Sequence, residues 1–160
     1  MFRVSLLLAL LLVGPPTQAL ESDKEQPIEL VADSVDIDET KGVSIYQGDV
    51  DLRQGSMHLR ADIVTVYQVD RKTTKVVAEG RPVKFKQQAA DGPVEGEARY
   101  VEYEVDSENL TMDGDALLVK GEDRMRSDRI VYDRVRSIVK AGAAAAGKQR
   151  VRISIEAPGK

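Results

Sequence analysis

Apolar and polar residues alternate along most of this chain. In VDLRQG, Val50 and Leu52 fall on one side and Asp51 and Arg53 on the other; in MHLRAD, Met57 and Leu59 oppose His58 and Arg60. The same spacing sets Val83 and Phe85 against Lys84 and Lys86, and Val151, Ile153 and Ile155 against Arg152 and Ser154. Successive side chains of a β-strand point to opposite faces, so a period of two with one apolar face marks a half-buried strand. In ARYVEYEVD the alternation of Val101, Tyr103 and Val105 with Glu102 and Glu104 slips at Tyr100, which predicts a bulge there. Turn residues punctuate the pattern at DETKG, RQGS, DRKT, EGRP, AADGP, DSEN and KGED. AGAAAAG (141–147) has alanine's helical preference, but it is short and glycine-flanked, which predicts a loop or a single turn. The expectation is an all-β chain with many strands of about 4–8 residues.

The pattern also repeats at longer range. GDVDLRQGSMHLRADIVTV (48–66) aligns without a gap on GDALLVKGEDRMRSDRIVY (114–132), matching Gly48 with Gly114, Asp49 with Asp115, Leu52 with Leu118, Gly55 with Gly121, Arg60 with Arg126 and Asp62 with Asp128. A second grammar links ADSVDI, ADIVTV, ARYVEY and SDRIVY: a small residue first, then apolar residues at the fourth and sixth places. Between these lie apolar segments that run into a glycine, at Gly48, Gly80, Gly114 and Gly142. A period of about 30 residues with a fixed strand grammar signals stacked supersecondary units. Each unit is too small to bury its own apolar face, and stacking joins the faces into one trough. Val50, Leu52 and Leu59 in one copy, and Ala116, Leu118 and Met125 in the other, are expected to line successive levels of it.

Composition sets the compartment. Arg3, the apolar run VSLLLALLLV and the breaker GPPTQA form the order of a secretory leader, with cleavage predicted after Ala19. A run of about 10 apolar residues is half what a membrane-spanning helix needs. Residues 20–160 are then expected to form a single domain. Exported proteins commonly carry disulfides, but this chain has no cysteine, so burial and backbone pairing must hold the fold, as suits a bacterial periplasm. The 23 Lys and Arg against 27 Asp and Glu alternate in sign without a basic stripe, which argues against nucleic acid as a partner.

Few groups are disposed for catalysis. His58 is the one histidine, and its parity places it on the polar face beside Arg60. Read as a solvated strand residue, it leaves a nucleophile–base triad without its usual base. Asp33, Asp36, Asp38 and Glu39, and separately Asp113 and Asp115, cluster acidic groups, but neither stretch follows the ligand series of a calcium loop. No Gly-rich phosphate loop of the Walker type is present. The expectation is a protein without catalytic residues, metal or cofactor. Phe85 and Tyr103 share the apolar parity of their strands in a chain poor in aromatics, so the inner face is expected to stay partly open to a lipid or chain-like ligand. PIELVAD (27–33) and RVRISIEA (150–157) are strand-like segments near the ends, where Ile28 and Leu30, and Val151, Ile153 and Ile155, would form edge strands. An edge exposes unpaired backbone groups, so one copy's first edge can pair with another's last, head to tail.

QPIELVADS, YQGDVDLRQGSMHLRADIVTV, GRPVKFKQ, GPVEGEARYVEYE and LTMDGDALLVKGEDRMRSDRIVYD together resemble the LptA, or OstA-like, family of periplasmic lipopolysaccharide-transport proteins, over residues 26–155. The resemblance implies an open, twisted antiparallel β-jellyroll of about sixteen short strands whose interior shields the acyl chains of lipid A. It implies head-to-tail assembly, with an LptC-like inner-membrane partner at the N-terminal edge and an LptD-like outer-membrane translocon at the C-terminal edge. Motif by motif it places lipid contact at Ile28, Leu30, Phe85 and Tyr103; strand parity adds Val50, Leu52, Leu59 and Leu118. The alanine-rich GAAAAGKQR departs from the pattern and puts the presentation of the last edge in question. A conduit without a nucleotide motif needs an external ATPase for direction. The competing readings are an anchored LptC-like relative, a periplasmic sugar- or peptide-binding β-module, and a hydrolase using the scattered carboxylates.

Overall fold

The period-two segments become one antiparallel sheet of ten strands in a computed structural model that describes residues 23–89 and 92–155. The strands are β1 (Ile28–Val31), β2 (Ser34–Asp38), β3 (Val43–Gln54), β4 (Met57–Val69), β5 (Lys72–Ala89), β6 (Gly92–Glu104), β7 (Asn109–Lys120), β8 (Asp123–Asp133), β9 (Ile138–Ala141) and β10 (Arg152–Ser154). β3 to β8 form a meander in which each strand pairs with the next. Both ends of the meander are finished by two short strands lying end to end. β1 pairs residues 51–54 of β3, and β2 pairs residues 43–47. At the far side β10 pairs residues 124–126 of β8, and β9 pairs residues 130–133.

Every ladder of the meander shifts register part-way along, between Gln47 and Val50, Arg60 and Ile63, Glu79 and Val83, Glu97 and Tyr100, and Asp113 and Ala116. The slip read at Tyr100 is one of these. A bulge bends its strand and increases the local twist without ending the pairing. Aligned across the sheet, the bulges make a crease that divides the sheet into two arms. The first arm holds the part of each strand next to β1 and β10; the second holds the part next to β2 and β9. The doubled Gly-Asp builds this crease: Gly48 and Asp49 have φ of 85° and 39°, and Gly114 and Asp115 have 81° and 52°. A side chain rarely adopts that conformation, which accounts for glycine first and the tolerant aspartate second.

The crease explains why ten strands appear where the resemblance implies about sixteen. β3 to β8 run 11 to 18 residues, not 4–8, because the glycines that look like strand ends are bends within continuous strands. The inward faces of both arms share one buried cluster, including Val50, Leu52 and Leu59 from the first arm and Val64, Val101 and Ile130 from the second. Full burial of each such side chain contributes about 1.5–3 kcal/mol relative to exposure. The alanine-rich segment forms a 3-10 turn at Gly142–Ala145, the single turn its length allows. It carries the chain from β9 on the second arm to β10 on the first. Ser127 Oγ accepts the Gly142 N–H at 3.1 Å, and the Asp128 carboxylate accepts those of Lys148 at 2.5 Å and Gln149 at 3.1 Å. The leader read at residues 1–19 lies outside the described residues.

Candidate functional site

Cross-strand partners trace largely apolar rungs across the sheet. In the first arm one rung passes Leu30, Leu52, Leu59, Phe85, Gly96, Leu118, Met125 and Ile153, each opposite the next. In the second arm one passes Val35, Tyr46, Val64, Ala78, Val101, Met112, Ile130 and Ala141. A parallel one passes Ile37, Ser44, Val66, Val76, Tyr103, Leu110, Tyr132 and Val139. Cross-strand neighbours on one face sit within side-chain reach of one another, so the rungs form an apolar surface from edge to edge that buried Ser44 interrupts in the third. Gly96 lets the rung pass Phe85, because a Cβ at that position would run into the Phe85 ring.

All the residues read as lipid-facing lie on this inner face. Val50, Leu52, Leu59, Phe85 and Leu118 are buried in the first arm, Tyr103 is buried in the second, and Ile28 and Leu30 are half-buried against the same cluster at the β1 edge. The arms meet closely enough that Val50, Leu52, Met112 and Ile130 have 0% exposure. The interior is thus a packed core between the arms, and a chain entering it must part them.

Each rung has one exposed end and one half-buried end, the latter at Leu30, Ala141 and Val139. Val35 and Ile37 at β2 are 51% and 56% accessible, and Ile153 at β10 is 56% accessible, although all three point to the inner face. Ile28 and Leu30 do form an outermost strand, β1, and Ile153 lies in β10. Val151 and Ile155 correct the reading of the last edge: β10 spans only Arg152–Ser154. The turn carrying the chain back from β9 leaves Val151 half-buried beside Gly142, before the ladder begins. Sequence reasoning missed that each edge is a pair of strands, with β2 beside β1 and β9 beside β10. The alternation of SVDID and IVKA was the available signal, but only the crease shows that they belong to the edges.

The two edges differ in charge. Glu29, Asp33, Asp36 and Glu39 are exposed around β1 and β2 and form no ion pair among the described residues. At the other edge Arg126, Lys148, Arg150 and Arg152 line, with Asp115, a concavity of about 780 Å³, and these four cations likewise form no ion pair among the described residues. The doubled stretch contributes to this asymmetry. In the first copy Arg60 pairs with Asp49 at 3.2 Å, but in the second Asp115 pairs with Arg99 at 2.5 Å, which leaves Arg126 uncompensated.

The remaining polar groups are engaged structurally. His58 Nε2 lies 2.7 Å from Asp51, whose carboxyl is held below its usual range by that hydrogen bond and by Arg53. Asp113 pairs with Arg129 at 3.5 Å while Asp115 pairs with Arg99, so the two carboxylates are tied to different arginines. Asp38 is lowered by Lys41, which closes its turn with a backbone bond of 2.9 Å. Tyr100, pushed up to about 12 by burial and by its hydrogen bond to Glu102, stays protonated. Among the described residues no three His, Cys, Asp or Glu side chains are grouped to hold a metal.

This geometry has relatives. The chain is 34% identical over 129 residues to the lipopolysaccharide export system protein LptH of Pseudomonas aeruginosa, covering 79% of this chain and 74% of that protein. It is 33% identical over 153 residues to the lipopolysaccharide export system protein LptA of Haemophilus influenzae, covering 93% and 88%. The crystal structure of LptH, described as the LptA-homologous periplasmic component of the lipopolysaccharide transport device of P. aeruginosa, superposes with a TM-score of 0.77 at 30% identity, over 85% of this chain and 99% of that one. Residues 29–137 match the family described as LptA/(LptD N-terminal domain) LPS transport protein. Through its creased sheet and the sequence that builds it, the chain belongs to this LptA/LptD N-terminal-domain family.

Proposed function

We propose that the protein is a periplasmic bridge that carries lipopolysaccharide from the inner to the outer membrane, holding the acyl chains of lipid A between its arms. The carrying observation is the set of apolar rungs that cross the whole sheet, with exposed ends at Val35 and Ile37 on the first edge and at Ile153 on the last. Burial of acyl chains is favourable by about 0.8 kcal/mol per methylene, and successive positions along a rung offer similar surface. A lipid can therefore slide without a deep well in which to stop, and direction comes from an external motor. The contacts are assigned to Ile28, Leu30, Val50, Leu52, Leu59, Phe85, Tyr103 and Leu118. Residues 1–19 are a leader removed on export, and residues 20–160 work as one unit.

In this reading copies join head to tail. β1 and β2 run opposite to β9 and β10 in the alternating sheet, so a second copy stacked in the same orientation brings β1 antiparallel to β10 and β2 antiparallel to β9. The acidic first edge then meets the basic last edge, and the exposed ends of the rungs are covered. An LptC-like partner takes the first edge and an LptD-like partner the last, using the same pairing. The test is a photo-crosslinker at Phe85 in cells that make lipopolysaccharide, with mass spectrometry of the adduct and of lipid extracted from the purified protein. Lipid A is expected in both; its absence from both would rule out the bridge.

A further inference from the structure

The interior is closed, and what closes it is asymmetric. Opposite the crease, the strand-end turns of the two arms meet along a mouth, and residues 23–28 cross it as a strap. On the first-arm side the Asp23 carboxylate accepts the Ser56 N–H and hydroxyl, each at 2.8 Å, and the side-chain amide of Gln87. Gln54 adds a bond to the Gln26 carbonyl at 3.0 Å. On the second-arm side the same carboxylate faces Arg134 Nη2 at 3.7 Å, beyond hydrogen-bond distance. Glu108 lies 3.9 Å from that nitrogen, and the guanidinium sits 5.0 Å from the centroid of the Tyr103 ring. A gap of about 650 Å³ beside the strap runs between Ile28 and Gln54 on one lip and Gln68 and Val105 on the other.

The consequence follows from the shape of an amphiphile, and so rests on the lipid-bridge reading above. Acyl chains gain by entering the interior, but a phosphorylated saccharide cannot be buried without losing hydration that nothing there replaces. A lipid that travels along the rungs must therefore keep its head in water through the mouth, in the path of the strap. Asp23 is fastened to the first arm by several hydrogen bonds and faces the second through the longer ion pair with Arg134. We propose that the Asp23–Arg134 pair is the latch of a lateral portal, and that the strap swings away with the first arm when the mouth opens to let the saccharide pass. Arg134 closes the second lip over Tyr103, so opening also uncovers that residue of the inner face.

The absence of cysteine makes the test direct. Asp23→Cys and Arg134→Cys are introduced together into the mature protein and joined by a short bis-maleimide. Fluorescent lipopolysaccharide loading and release are then timed, with circular dichroism confirming the fold. Joining is expected to slow both at least tenfold relative to the unjoined double variant. Arg134→Gln leaves every first-arm bond of Asp23 in place and removes the charge facing it; it is expected to speed release threefold or more. If the joined protein exchanges lipopolysaccharide as fast as the unjoined one while the wild type binds it, the latch is wrong and the bridge stands. If the wild type binds no lipopolysaccharide, both fall.

Discussion

Asp128 shows how a repeated residue acquires a local task. Its counterpart Asp62 is exposed at the crease, whereas Asp128 accepts the backbone N–H groups of Lys148 and Gln149 and fastens the crossover that delivers β10. The Lys148 N–H is the leading cause of its lowered pKa, followed among the favourable contacts by that of Gln149. A carboxyl whose folded-state pKa is depressed contributes stability above its ordinary value near 3.8, and that contribution is lost as pH falls through the lower folded value. Residues 148–154 are therefore expected to stay docked at pH 5–7 and to loosen progressively below about pH 4. Asp128→Ala should already be loose at neutral pH. Amide resonances of Lys148, Gln149 and Ile153 followed from pH 7 to pH 2 check this; an unchanged Asp128→Ala spectrum in this segment would contradict it.

At the scale of elements, the edges are where this sheet differs from a closed barrel. Each is a pair of short strands separated by the crease, and each leaves a row of backbone groups without a strand partner among the described residues. Like charges placed opposite one another are destabilising and opposite charges are favourable. The proposed head-to-tail joint would thus select acidic edge against basic edge and disfavour both symmetric alternatives. Arg126→Glu with Arg152→Glu is expected to weaken self-association about tenfold or more at low salt and to leave the monomer's melting temperature nearly unchanged. Glu29→Lys with Asp36→Lys in the other copy should restore mixed assembly. Raising salt should weaken the wild-type joint, because exposed charges are screened within about 8 Å at physiological ionic strength. Sedimentation velocity across a salt series measures all three; association independent of charge and salt would show that backbone pairing alone makes the joint.

At the scale of the whole molecule, the absence of disulfides matters to the proposed bridge, in which the core has to open to take acyl chains. Two arms hinged on a crease, sharing one apolar core and tied across the mouth by a few polar contacts, can part without unpairing the sheet. Ligand that binds only the folded chain stabilises it by mass action, by about 2.7 kcal/mol at a concentration of 100 times Kd. The melting temperature is therefore expected to climb steadily with lipopolysaccharide concentration and to respond little to the deacylated saccharide. Equal responses to both would place recognition on the sugar and not between the arms.

The strand period, the apolar face of each segment, the doubled Gly-Asp stretch and the apolar residues of the rungs were all legible in the chain. Each depends on residues close in sequence, where side-chain alternation and backbone conformation impose their own signature. Family resemblance added the jellyroll and its cargo as expectations. The tertiary structure decided the rest. It turned the apparent strand ends at Gly48 and Gly114 into one crease, placed β2 and β9 at the edges, and closed the inner face that the sequence left open. It also set Asp23 against Arg134. No local pattern could reveal these features, because register between strands and contact between distant turns follow from how the faces pack once the sheet folds on itself.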